Sequence, residues 1–101
     1  MTTKPGYAYI ISNPRPTLYV GVTSDLVGRV YQHKHNLAPR SFTSRYQLYL
    51  LVYYEVHDTI QQAIIREKQI KDMNRSDKLT MIRKVNPNFR DLYDDIQGKS
   101  P

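Results

Sequence analysis

The chain has 101 residues, enough for one domain with a modest core, and no cysteine, which excludes disulfide frameworks, thiol catalysis and zinc–thiolate sites. Fifteen lysines and arginines against nine acidic residues give a net charge of +6, pointing to an anionic partner, nucleic acid first. No apolar run reaches the roughly 18 to 20 residues that span a bilayer, and the N-terminus lacks a signal-peptide pattern, so a cytoplasmic protein with no membrane partner is expected.

In chain order, residues 7–12 (YAYIIS) and 17–22 (TLYVGV) read as β-strands joined by the turn Asn13-Pro14-Arg15-Pro16. A turn centred on Pro14 would oppose Tyr9 to Tyr19 and Tyr7 to Gly21. Alternation then puts Tyr7, Tyr9, Tyr19 and Gly21 on one face, with Ala8, Ile10, Leu18, Val20 and Val22 on a core face. Gly21 would leave open space among the tyrosines for a ligand's close approach.

Thr23-Ser24-Asp25 forms an N-cap cluster for a helix over about 26–34, buried through Leu26, Val27, Val30 and Tyr31. Arg29 and His33 lie one turn apart on a neighbouring face. A basic loop follows from His35 to Arg45, containing Pro39. Between Asp25 and Glu55 there is no acidic residue, while Arg29, Lys34, Arg40 and Arg45 fall inside that stretch. Lys34, Arg40 and Arg45 are therefore candidate phosphate contacts.

Residues 47–56 (QLYLLVYYEV) form a third strand with both faces largely covered, and Glu55 is a strand-edge residue. Asp58 or Thr59 caps the next helix, and with Thr59 as the cap Gln62 completes a capping box. Ser76 caps another over about 77–84, stopped by Asn86-Pro87. Residues 88–93 make one more turn, and 97–101 are expected to be a flexible tail to a single domain spanning 1–96.

The helix after Thr59 holds the least ordinary residue. Ile60, Ala63, Ile64 and Ile70 define its apolar face, and Glu67 falls near the middle of it. A carboxylate there is costly unless it is paired or binds a metal. The structural alternative is an ion pair with Lys71 or Arg29.

The order β-β-α-β-α-α, carrying Tyr9, Tyr19-Val20-Gly21, Arg29, His33, Glu67 and Asn86, resembles the GIY-YIG nuclease superfamily over nearly the whole chain. Tyr7-Ala8-Tyr9 stands in a degenerate form of the first motif. Arg29 follows Gly21 by eight residues and His33 follows Arg29 by four. Arg66-Glu67-Lys68-Gln69-Ile70-Lys71 matches the metal-binding helix. Asn86 to Leu92 looks like the C-terminal segment of small single-domain bacterial members.

The resemblance implies an α+β fold, with a small three-stranded antiparallel sheet flanked by about three helices. It implies a divalent-metal-dependent endonuclease acting on DNA, with structure-specific or repair-related cleavage as one reading. Glu67 would hold one Mg²⁺ or Mn²⁺ ion. Arg29 would grip the scissile phosphate. Tyr9 would take a proton from water, which requires cationic neighbours such as Arg29 or Lys71 to lower its pKa. Tyr19 would orient water or phosphate, His33 would relay a proton, and Tyr7, Gly21 and Asn86 would support the site.

The residues leave the base open between Tyr9, Tyr19 and His33, and the substrate open between DNA and RNA. At this length specificity would come from a branched or damaged substrate or a protein partner, or be weak. The alternative function is a catalytically weak or inactive nucleic-acid-binding module using the same basic, tyrosine-lined face.

Overall fold

A computed structural model describes residues 4–35 and 45–97. The elements are β1 (Gly6–Ser12), β2 (Leu18–Thr23), α1 (Leu26–Lys34), β3 (Leu50–His57), α2 (Ile60–Asp72), α3 (Arg75–Val85) and the short α4 (Tyr93–Ile96). The strands form one antiparallel sheet in the order β2-β1-β3, so the fold is α+β as anticipated.

β1 is the central strand, and each of its faces has its own core. Ala8 and Ile10 pack with Val20, Val52, Ile70 of α2 and Ile82 of α3. Tyr9 and Ile11 pack with Leu26 and Val30 of α1, Leu48 and Leu51. The helices therefore cover opposite faces of the sheet: α1 covers the tyrosine face, and α2 with α3 the other.

The hairpin register differs from expectation by two residues. Tyr9 opposes Gly21, Tyr7 opposes Thr23 and Ile11 opposes Tyr19. The turn is centred on Arg15, because the Asn13 carboxamide accepts hydrogen bonds from both Arg15 N (3.1 Å) and Thr17 N (2.8 Å). A slip of two preserves the faces, so the predicted division of side chains holds.

Several boundaries also moved. β3 starts at Leu50, since Gln47 has a positive φ of 53° that breaks the extended run. Asn74 rather than Ser76 caps α3, accepting from Asp77 N at 2.8 Å. Of the candidates Asp58 and Thr59 it is Thr59 that caps α2, and Asp25 of the Thr23–Asp25 cluster caps α1. Val27, Tyr31 and Ile64, anticipated as core, are exposed. Tyr31 instead stacks on His35 at 3.9 Å. Past Gln97, the anticipated tail lies outside the described residues.

Glu55 is not a simple edge residue. Its carboxylate accepts from Arg66 Nε (3.0 and 3.1 Å) and from the Tyr53 hydroxyl, and it hydrogen-bonds His57 Nε2 (3.0 Å). Burial alone would raise its pKa, but those hydrogen bonds outweigh burial and hold it below the usual value. The network ties β3 to α2.

The C-terminal segment closes the sheet. β3 carries a bulge, because Ile10 opposes Tyr53 while Ile11 opposes Leu51, leaving Val52 as the extra residue. The Val52 carbonyl is taken by the buried Asn86 carboxamide at 3.0 Å. Asn86 also donates to Arg90 O (2.8 Å) and accepts from Arg90 N (3.1 Å). Asp91 accepts from Leu51 N (3.1 Å), and Leu92 N donates to Leu51 O (2.8 Å).

Replacing Asn86 by alanine leaves the Val52 carbonyl and Arg90 amide without these partners. Urea unfolding of Asn86→Ala should show a loss of about 2–3 kcal/mol, the cost of orphaned buried polar groups. Val85→Ala, at a position 67% exposed, should change stability by no more than about 0.5 kcal/mol.

Candidate active site

The site begins with a ring and a missing side chain. Tyr9 is fully buried, and a β-carbon on Gly21 would lie 2.5 Å from the Tyr9 Cζ and hydroxyl oxygen. The space expected above Gly21 for a ligand is thus filled by the Tyr9 ring. Because the two residues are paired across the strands, the ring carries its hydroxyl from central β1 over edge strand β2.

Two side chains of α1 meet that hydroxyl. His33 Nε2 lies 3.2 Å from it, within hydrogen-bond distance, and Arg29, exposed one helical turn earlier, is close enough to hydrogen-bond it too. The His33 ring sits between two tyrosines, with centroids 6.0 Å from Tyr9 and 6.1 Å, edge-on, from Tyr19. Glu67 arrives from α2, on the other side of the sheet. It is 8% exposed, as its place between buried Ala63 and Ile70 suggests, and its charge is within electrostatic reach of Tyr9. Lys71 Nζ pairs with Glu67 Oε2 at 2.9 Å and is within electrostatic reach of Tyr19. Tyr9, Tyr19, Arg29, His33, Glu67 and Lys71 are thus gathered at one edge of the sheet.

The protonation states differ from the sequence expectation at Tyr9. Burial pushes its pKa up to about 12, with Tyr19 adding to the rise, and Arg29 does not offset them. A phenol in that state does not ionise near neutrality to serve as a free base. His33 shifts the other way: burial and then Arg29 lower its pKa, so the imidazole is neutral at pH 7. The Lys71 ammonium is raised by its hydrogen bond to Glu67.

Other expected site residues fall elsewhere. Asn86 fastens the tail to β3, and its hydrogen bonds reach none of the gathered residues. Lys34 is not a free phosphate contact, because it pairs with Asp91, donates to Tyr49 O (3.0 Å) and lies 5.0 Å from the centroid of the Tyr93 ring. A lysine near the end of a helix gave no signal of a partner 57 residues away. Tyr7, half-buried, lines a separate cleft with Asp25, Leu26 and Tyr54. Arg45 is exposed, and Arg40 lies outside the described residues.

The donor set suits a hard cation. Among the described residues no three His, Asp or Glu side chains gather as a ready-made metal cage. One carboxylate open to solvent through about a tenth of its surface fits an ion that keeps water ligands and draws others from substrate phosphate. Glu67 would hold such an ion.

The three-stranded α+β fold is that of a small nuclease-type domain, and the cluster lies at one edge of its sheet. The family model described as the GIY-YIG catalytic domain matches residues 5–80, and the chain belongs to that family, whose domains act on nucleic acids and are generally endonucleases. It is 35% identical to the UPF0213 protein of Syntrophus aciditrophicus (strain SB), over 80% of this chain and 92% of that one. It is 39% identical to the UPF0213 protein of Streptococcus pyogenes serotype M5 (strain Manfredo), over 81% of this chain and 89% of that one. No solved structure matches the chain significantly.

Two outcomes test this packing. Gly21→Ala should destabilise by about 1–3 kcal/mol through overpacking against the Tyr9 ring. In a Tyr9→Ala background, itself costing about 3–5 kcal/mol, the same change should be nearly neutral, a coupling that a double-mutant cycle measures.

The second outcome concerns alkaline pH. The Tyr9 and Tyr53 phenols are both pushed up from an ordinary 10.0 to about 12, so each contributes stability that is full below pH 10 and lost as pH rises through 12. Between about pH 9 and about pH 11, Tyr9→Phe should lose less unfolding free energy than the wild type. An equal loss in both would show that Tyr9 titrates normally.

Proposed function

We propose that the protein is a divalent-metal-dependent endonuclease that hydrolyses phosphodiester bonds in DNA. The observation that carries this reading is the Tyr9–His33 hydrogen bond beside Arg29, with Glu67 facing the same edge from another helix. Tyr9 also packs in the core and Glu67 is ion-paired with Lys71, and beyond those structural roles the cluster joins the residue types that phosphodiester hydrolysis uses.

In the proposed reaction the base is a pair. His33, neutral at pH 7, accepts the Tyr9 hydroxyl proton at Nε2 while the Tyr9 oxygen, covered in the free protein, accepts a proton from an attacking water admitted at the sheet edge with the substrate. This relay removes the need for a free phenolate at neutral pH. Arg29 is exposed and presents a planar fork to the scissile phosphate, where it stabilises the negative charge that grows in the transition state. Tyr19, edge-on to His33, orients the water or the phosphate. Glu67 would hold Mg²⁺ or Mn²⁺, which when bound supplies Lewis-acid activation of the phosphate. A branched or damaged substrate, or a protein partner, would provide selectivity.

The test is cleavage of supercoiled, branched and single-stranded DNA with Mg²⁺, Mn²⁺ or chelator. Cleavage is expected only with metal, and Glu67→Ala or Arg29→Ala should each reduce it by about 10²–10³-fold. Tyr9→Phe and His33→Ala should be impaired together and not additively, because they act as one unit. Metal-dependent cleavage that survives Glu67→Ala would sink the assignment, and binding without cleavage on every substrate would favour a binding module. Glu67→Ala should stay folded within about 1 kcal/mol of wild type, since its partner Lys71 is half exposed.

A further inference from the structure

Lys71 occupies an unusual position for a surface lysine. Its ammonium is 2.9 Å from Glu67 Oε2, the carboxylate proposed to hold the metal, yet its side chain is 53% exposed. It also lines an open groove of about 370 Å³ at the edge of β2 with Leu18, Tyr19, Val20 and Lys78. One flexible side chain thus borders both the carboxylate proposed to hold the metal and a groove lined by Tyr19.

Two cations cannot share Glu67 without repulsion. The Lys71 ammonium already pairs with one oxygen of the carboxylate, so an ion held by Glu67 would meet a like charge close by. The groove offers it another place. Lys78 lies there, and among the described residues none that lines the groove is acidic. With Lys71 released, the groove carries two ammonium groups beside Tyr19, a suitable surface for the backbone of a strand whose scissile phosphate sits at Arg29.

We propose that Lys71 is a placeholder cation: it neutralises Glu67 before metal binds, and on metal loading it turns into the groove beside Lys78 to hold a phosphate flanking the cleaved one. The inference rests on the metal-dependent reading given above and adds an exchange of positions that couples metal loading to strand binding. A half-exposed lysine on a long stem can make that move without disturbing the helix.

The experiment compares wild type, Lys71→Gln, Lys78→Gln and Glu67→Ala in two binding assays that need no turnover. Calorimetry with Mn²⁺ should show Lys71→Gln binding about three- to fivefold more tightly than wild type, with Lys78→Gln within about twofold and Glu67→Ala showing no binding. Binding of a hydrolysis-resistant phosphorothioate oligonucleotide is then measured with chelator and with Mg²⁺. Lys78→Gln should weaken it in both conditions, and Lys71→Gln about threefold or more in Mg²⁺ only. Mn²⁺ binding that needs Glu67 but is no tighter in Lys71→Gln overturns the placeholder role alone. Equal weakening by Lys71→Gln with and without Mg²⁺ overturns the exchange. Mn²⁺ binding by none of the proteins overturns the metal reading of Glu67 and this inference with it.

Discussion

A three-stranded sheet has one central strand, and here that strand is sealed on both faces. α1 covers Tyr9 and Ile11, while α2 and α3 cover Ala8 and Ile10. Groups from α1 and α2 can therefore meet only around an edge of the sheet, and the Tyr9 ring lying across Gly21 makes the β2 edge that meeting point. The ring extends the reach of the central strand by one strand width. Arg29 and His33 come to its hydroxyl from one side, and Glu67, on the other, lies within electrostatic reach of it. A side chain at Gly21 would displace the hydroxyl on which the cluster is built.

The opposite edge is handled differently. β3 would present unpaired backbone groups, and its bulge at Val52 adds a carbonyl that no strand can take. The C-terminal segment takes these up: Asn86 bonds Val52, while Asp91 and Leu92 bond Leu51. Asp91 then pairs with Lys34 at the end of α1, so the helix bearing Arg29 and His33 is fixed to the covered edge. One edge is closed by the chain itself and the other gathers Tyr9, His33 and Arg29. Part of the positive charge that reads as phosphate-binding in the sequence is used in that closure.

Face assignment was legible because it depends on alternation, which survives a register slip of two. The register was not, because an Asn13 side chain with two backbone partners fixes the turn centre one residue later than a proline count suggests. Glu67 could be picked out because a charge between Ala63 and Ile70 breaks a helical pattern. Glu55 could not, since a single glutamate in a strand gives no hint that Tyr53, His57 and Arg66 converge on it. Tyr9, Tyr19, Arg29 and His33 were legible as a spaced set. The direction of the Tyr9 titration was hidden, because it depends on how deeply the ring is buried and not on which cations lie nearby.

That burial decides how the charges of the cluster are distributed before any substrate arrives. Tyr9 is un-ionised, His33 is neutral, Glu67 is paired with Lys71, and Arg29 is left as a positive group with an exposed side chain. In the proposed reaction an approaching phosphate would meet that guanidinium first, above a phenol and an imidazole already joined by a hydrogen bond. If Tyr9 carried a phenolate instead, its charge would cancel Arg29 and repel the phosphate at the point of contact. Desolvation therefore works with the arginine: it keeps the phenol protonated, which preserves the positive face, and it keeps the imidazole unprotonated, which preserves an acceptor for the phenol's proton. A more open cluster with the same residues would lose both properties, and that is why the site depends on the packing of one ring against one glycine.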